Sequence, residues 1–161
     1  MREAARRLRR GFIVLFDYGH RSEELYSVTH ASGTLTSFSA HVASGPESVA
    51  APWLRNPGSQ DITAHVDFST IERVAHEEGL TTAGFLDQTY FVMGILQSAP
   101  DAQDARPALS ARGAEADAKR ARALKTLMMP GGLGSTMKVL ILAKGVGSPA
   151  LIGCSFRMRV T

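Results

Sequence analysis

Two stretches of the chain are apolar at nearly every position: Phe12-Ile13-Val14-Leu15-Phe16, and Met137 to Ala143 with only Lys138 interrupting. Runs this short read as strands buried on both faces rather than as helices. Thr81 to Leu86, part β-branched and part aromatic, reads as another strand. Ser69-Thr70-Ile71-Glu72 has the form of a capping box, which predicts a helix start at Ser69. Ile71, Val74 and Ala75 then share one face and Gly79 supplies the stop. Phe85, Phe91 and Ile95 are expected in the core. Ala4, Ala5 and Leu8 recur at helical spacing among Arg2, Arg6, Arg7, Arg9 and Arg10, which predicts a surface helix ending at Gly11. The alanine-rich, charged segment from about 98 to 125 is bounded early by Pro100 and Pro107 and favours a surface helix from Leu109 onward. Pro130-Gly131-Gly132-Leu133-Gly134 lacks the Gly-Lys-Ser/Thr ending of a phosphate loop and reads as a turn.

Helix, strand, loop, helix, strand, helix, strand is the order of half a parallel or mixed α/β sheet. Three strands with two faces to cover make a poor independent domain, so the chain reads as part of something larger. From His20 to Gly58 no period is sustained. The segment reads as a long loop with a short strand at Gly33-Thr34-Leu35, pinned by Trp53 and Leu54, and a loop of this length is expected to serve binding or closure. It leads through the turn at Pro57-Gly58 into Asp61-Ile62-Thr63-Ala64-His65-Val66-Asp67, where two carboxylates, an imidazole and a hydroxyl fall within one short stretch.

With 161 residues, 44% hydrophobic and 20% charged, the composition fits one compact globular unit. No apolar run approaches the roughly 18 residues of a membrane span. The net charge of +3 owes much to the N-terminal arginines. A presequence or a nucleic-acid arm are the alternatives there, but the amphipathic spacing and the strand that follows at once favour a solvated helix face. Lys119, Arg120, Arg122 and Lys125 read the same way, because no aromatic residues interleave for base stacking. No nucleic-acid partner is expected. The single cysteine, Cys154, excludes an internal disulfide and any multi-cysteine metal site, and reads as an inert thiol.

Candidate chemistry gathers at two places. Asp17 and Tyr18 close the first strand, the end at which open α/β sheets bind ligands. Asp61, Thr63, His65 and Asp67 form the second group. Asp67 is also well placed to cap the following helix, and His65 alone is commonly structural. A metal cluster of Asp61, His65 and Asp67 is the lesser alternative, because no further ligands have suitable spacing, and no metal is expected.

Gly-Phe-Ile-Val-Leu-Phe-Asp-Tyr-Gly at 11–19, Glu-Leu-Tyr-Ser at 24–27, Gly-Thr-Leu at 33–35 and Pro-Gly-Ser-Gln-Asp-Ile-Thr-Ala-His-Val-Asp-Phe at 57–68 together resemble the MidA family of S-adenosylmethionine-dependent methyltransferases. That family includes the mitochondrial arginine methyltransferase needed for respiratory complex I assembly. Gln88, Phe91, Gly94-Ile95, Met129-Pro130, Leu133-Gly134 and Met137 to Leu140 match in order downstream. The resemblance covers most of residues 5 to 144, leaves 145–161 as a tail outside it, and implies the C-terminal half of a class I, Rossmann-like methyltransferase sheet. The strand at 12–16 would be the fifth of seven, with the sixth near 82–86 and an antiparallel seventh at 136–143.

The resemblance further implies S-adenosyl-L-methionine as methyl donor. The family's glycine-rich turn, its acidic residue after the second strand and its Asn-Glu segment at the fourth have no counterpart in this sequence, so no donor-binding residue is expected here. After Gly-Thr-Leu the family continues with an aromatic and a basic segment, of which Phe38 and His41 remain. The implied activity is methylation of a protein arginine, with a respiratory complex I subunit among the implied substrates. Asp17, Asp61 and His65 would be its catalytic residues, and Tyr18, Thr63, Asp67 and Gln88 would contact substrate. The alternative is a non-catalytic protein-binding module that uses the same loop. The expected compartment is the cytoplasm for a bacterial protein and the mitochondrial matrix for a eukaryotic one. An exposed edge on the first strand would favour self-association.

Overall fold

The first apolar run lies inside a longer strand, β1 (Gly11–His20), in a computed structural model that describes residues 1–40, 42–46, 51–98, 114–129 and 133–156. In place of the single compact unit expected, the chain divides into two, one of Met1–Asp17 with Glu72–Thr161 and the other of Tyr18–Ile71.

The first unit contains α1 (Arg2–Arg7), the opening part of β1, β6 (Thr81–Asp87), α4 (Gln88–Ser98), α5 (Ala114–Met128), α6 (Leu133–Thr136) and β7 (Met137–Lys144). β7 lies between β1 and β6 and runs antiparallel to β6, from Thr81 opposite Ala143 to Asp87 opposite Lys138. The antiparallel final strand is the one that the family resemblance implied. Val139, Leu140, Ile141, Leu142 and Ala143 are each at most 4% exposed, as an apolar run at the centre of a sheet requires.

β1 departs from the expected burial on both faces: Phe12, Val14 and Phe16 are 41%, 46% and 46% exposed. An unbroken apolar run records that a strand avoids water, but not which face its neighbours cover. Phe16 meets the Phe91 ring edge-on at 5.4 Å. Ile95, expected in the core, is exposed.

α1 buries Ala5 and turns Arg2 and Arg6 toward Glu77 and Glu78, with ion pairs of 2.6, 3.1 and 3.0 Å. These guanidiniums lower the carboxyls of Glu77 and Glu78 below their ordinary value. The N-terminal charge is therefore spent on a neighbouring helix end, in exposed pairs that add little stability. The carbonyls at the end of α5 are satisfied from the start of α4: Gln88 Nε2 donates to Leu127 O at 2.9 Å and Thr89 Oγ1 to Met128 O at 3.0 Å. Beyond β7, a 3₁₀ turn at Ile152–Cys154 packs against α4, with Gly153 buried, and Phe156 stacks on Tyr90 at 5.6 Å. Burial pushes the Cys154 thiol up, in keeping with an inert cysteine. Of the turn expected at 130–134, residues 130–132 lie outside the described residues, as does the segment around Pro100 and Pro107, whereas Leu133 and Gly134 open α6.

In the second unit, α2 (Ser22–Leu25), β2 (Thr36–Ser39) and β3 (Val42–Ser44) fall within the expected long loop, and β4 (Asp61–Thr63) and β5 (Val66–Asp67) follow it. Strands β3, β2 and β4 form an antiparallel sheet with β2 central, and the last residues of β1 pair in parallel with β5. The strand expected at 33–35 falls at 36–39 instead. Its polarity is inverted, with Ser37 2% exposed and Phe38 42% exposed, which hides it from any search for alternating apolar residues. Leu54 is exposed rather than pinned; Gln60 Nε2 holds this segment by donating to Pro52 O at 2.9 Å. Helix α3 (Phe68–Glu77) starts in this unit and ends in the other. None of the described helices is long and apolar enough to cross a membrane.

Candidate functional site

The second unit gathers most of the residues singled out in the sequence. β1 and β5 meet at Gly19 opposite Val66, where a side chain on residue 19 would overlap the Val66 carbonyl. This close approach sets Tyr18 and His20 against the segment that carries Thr63 and His65. The Tyr18 hydroxyl is hydrogen-bonded to Thr63 Oγ1, and its ring stands 6.0 Å from that of His65. Thr34, from the Gly-Thr-Leu motif, accepts a hydrogen bond from the His65 amide at 3.1 Å and so fixes the backbone there.

Asp67 is committed to holding the unit together. Its Oδ1 accepts from the Thr70 amide at 3.1 Å and from Ser22 Oγ at 2.9 Å, and its Oδ2 from Thr70 Oγ1 at 2.8 Å. Asp67 is thus the N-cap of α3, and the helix begins one residue before the predicted capping box. Ser69 Oγ instead accepts from the Ser22 amide at 3.0 Å, while Glu72 accepts from Thr82 Oγ1 at 3.0 Å. Burial raises the Asp67 carboxyl, but the hydrogen bonds from Thr70, Ser22 and the Ser69 amide outweigh it and leave the group below its ordinary value.

Asp61 has a different setting. On β4 it lies directly opposite Phe38 of β2. Both side chains are exposed, and both line a cavity of about 540 Å³ with Ala40, Gly58, Ser59 and Gln60. Among the described residues the Asp61 carboxylate has no ion-pair partner. Cross-strand partners bring their Cβ atoms to about 5 Å, so this is an aromatic face beside an open carboxylate. That pairing suits a planar cation.

Asp17 and Gln88 belong to the first unit. Asp17 is half-buried at the end of that unit's part of β1. Gln88 is 7% exposed, with its amide committed to the end of α5.

Two residues that the sequence did not single out join His65. The rings of His20 and His30 lie 4.7 Å apart, and those of His20 and His65 5.1 Å apart. His30 and His65 are separated by 5.8 Å and line a second cavity of about 420 Å³ with Leu25, Tyr26, Ser27 and Thr34. Burial lowers the His65 pKa, and the neighbouring His30 lowers it further, which favours the neutral imidazole. His20 and His30 are separated in sequence by a segment that reads as loop, so nothing along the chain marks them as neighbours.

A family model described as "putative S-adenosyl-L-methionine-dependent methyltransferase" matches residues 1–86. No curated protein matches the chain. Two crystal structures from Burkholderia thailandensis are similar over 96% of the chain. One, of an uncharacterized protein, has 29% identity and a TM-score of 0.78. The other, described as a "likely methyl transferase" bound to S-adenosyl-homocysteine, has 30% identity and a TM-score of 0.75. The chain spans 38% and 37% of the length of these two relatives.

Proposed function

The chain belongs to this family of S-adenosyl-L-methionine-dependent methyltransferases, and we propose that it supplies the methyl-acceptor side of such an enzyme, holding the guanidinium of a protein arginine between Phe38 and Asp61. The observation that carries this reading is the cross-strand pairing of these two residues, both exposed and lining one cavity. Asp61 would take two guanidinium N–H groups in a fork, and Phe38 would stack on the cation's face. Methyl transfer to a guanidinium nitrogen asks the protein for alignment more than for covalent help. The carboxylate that aligns the group can also take the proton that the methylated nitrogen sheds, so this arrangement does not require His65 as a base. The tie between Tyr18 and Thr63 steadies β4 two residues beyond Asp61. The motifs quoted above extend the reading to the MidA family and to its protein-arginine substrates.

S-adenosyl-L-methionine presents an adenosine and an amino-acid carboxylate. Such a carboxylate is well held by a cradle of amide donors at a helix N-terminus. Of the two cavities described above, the one at Asp61 is lined by strand and turn residues and offers a carboxylate, which would repel that end. The one at His65 is lined by imidazoles and hydroxyls. Neither cavity offers such an amide cradle.

The test is calorimetric titration of the chain with an arginine-containing peptide and with its lysine counterpart. The arginine peptide is expected to bind more tightly, and Asp61→Asn and Phe38→Ala each to weaken it about tenfold. Equal binding of the two peptides, or undiminished binding by Asp61→Asn, refutes the assignment.

A further inference from the structure

We propose that His20, His30 and His65 form a three-imidazole site for a zinc-type divalent transition metal, within the second unit. One ligand nitrogen from each ring lies within 4.8 Å of the others, a grouping made from three of the chain's five histidines. Three imidazoles around one zinc at about 2.0–2.1 Å sit roughly 3.3 Å apart. The rings must therefore draw together by at most about 1.5 Å, which small side-chain rotations supply.

Two further observations fit a ligand set better than a packed cluster. First, His65 Nδ1 is buried and has no hydrogen-bond partner. A buried polar nitrogen left in this state is costly, and a metal ion would satisfy it. Second, His30 is already oriented as metal-binding histidines are. Its Nδ1 lies 2.9 Å from the Glu24 carbonyl, to which it donates, leaving Nε2 with its lone pair. Thr29 Oγ1, which donates to Glu24 Oε1 at 3.2 Å, lies 3.2 Å from the same Nδ1 and can share its proton as a second acceptor.

Three histidines leave a fourth zinc position open. His30 and His65 line the 420 Å³ cavity with Leu25, Tyr26, Ser27 and Thr34, so that position would be reached by water or a small anionic ligand. The site takes the His65 imidazole as a ligand and leaves arginine binding to Phe38 and Asp61, so the two proposals stand or fall separately.

The experiment uses the tag-free full chain, stripped with chelator and dialysed, then titrated with Zn²⁺ by calorimetry and with Co²⁺ by visible spectroscopy. One equivalent is expected to bind with micromolar or tighter affinity, with the intense visible bands of four-coordinate cobalt. His20→Gln and His30→Gln should each weaken binding at least tenfold, while His76→Gln, which lies in the first unit beside Thr82, should not. Far-ultraviolet circular dichroism checks that each variant is folded, and because His20 and His30 are tested separately, the result does not depend on His65→Gln folding. No uptake by the wild type, or full uptake by folded His20→Gln and His30→Gln, overturns the proposal.

Discussion

Asp67 supports a quantitative prediction because one carboxylate both caps a helix and receives two hydroxyls. Replacing it with alanine removes the cap to the Thr70 amide, which costs about 0.5–2 kcal/mol. It also removes charge-assisted bonds from Ser22 and Thr70, for which hydrogen bonds to charged groups are worth about 1.5–3 kcal/mol in buried settings. Asp67 is only partly buried, so the combined loss should fall near 2–3 kcal/mol. Asparagine caps as well as aspartate, so Asp67→Asn should lose only the charge-dependent part, about 1 kcal/mol. The two variants thus separate geometry from charge. The carboxyl lies below its ordinary value of 3.8 in the folded protein. Its contribution is therefore fully present above pH 3.8 and is lost as pH falls through the lower folded value. Urea denaturation at pH 7 should rank wild type above Asp67→Asn above Asp67→Ala with unchanged slopes, and the gap between wild type and Asp67→Asn should close in acid. A gap that stays constant from neutral pH into acid, or an alanine variant as stable as wild type, would show that this carboxylate does not hold the unit.

Gln88→Ala strips a donor from the Leu127 carbonyl and should cost about 1–2 kcal/mol in denaturant melts while leaving arginine-peptide affinity unchanged. A loss of peptide binding at full stability would instead return Gln88 to the substrate contacts implied by the family resemblance. The exposed row Phe12, Val14 and Phe16 should drive concentration-dependent association, which Val14→Lys at its centre should suppress in sedimentation velocity. A wild type that remains monomeric across the accessible concentration range contradicts this.

What could be read directly from the sequence was whatever rests on local pattern. The run at 137–143 is a central strand because five consecutive residues avoid water on both faces, and α1 lies amphipathically against Glu77 and Glu78. The stretch Asp61 to Asp67 announced itself by composition, and Asp67 proved to be the cap that its place before the helix allowed. Tertiary structure decided the rest. β2 escaped notice because Ser37 is buried where Phe38 is exposed, an inversion set by what lies against each face. The pairing of Phe38 with Asp61 follows from the register of β2 and β4 across a long connection, and no spacing along the chain encodes it. The histidines meet for the same reason. His20 ends β1, His30 follows α2 and His65 precedes β5, and the close contact of Gly19 with Val66 brings His20 against the His65 segment. Sequence fixes which groups are available, whereas proximity is a property of strand pairing, and that depends on residues far from the site.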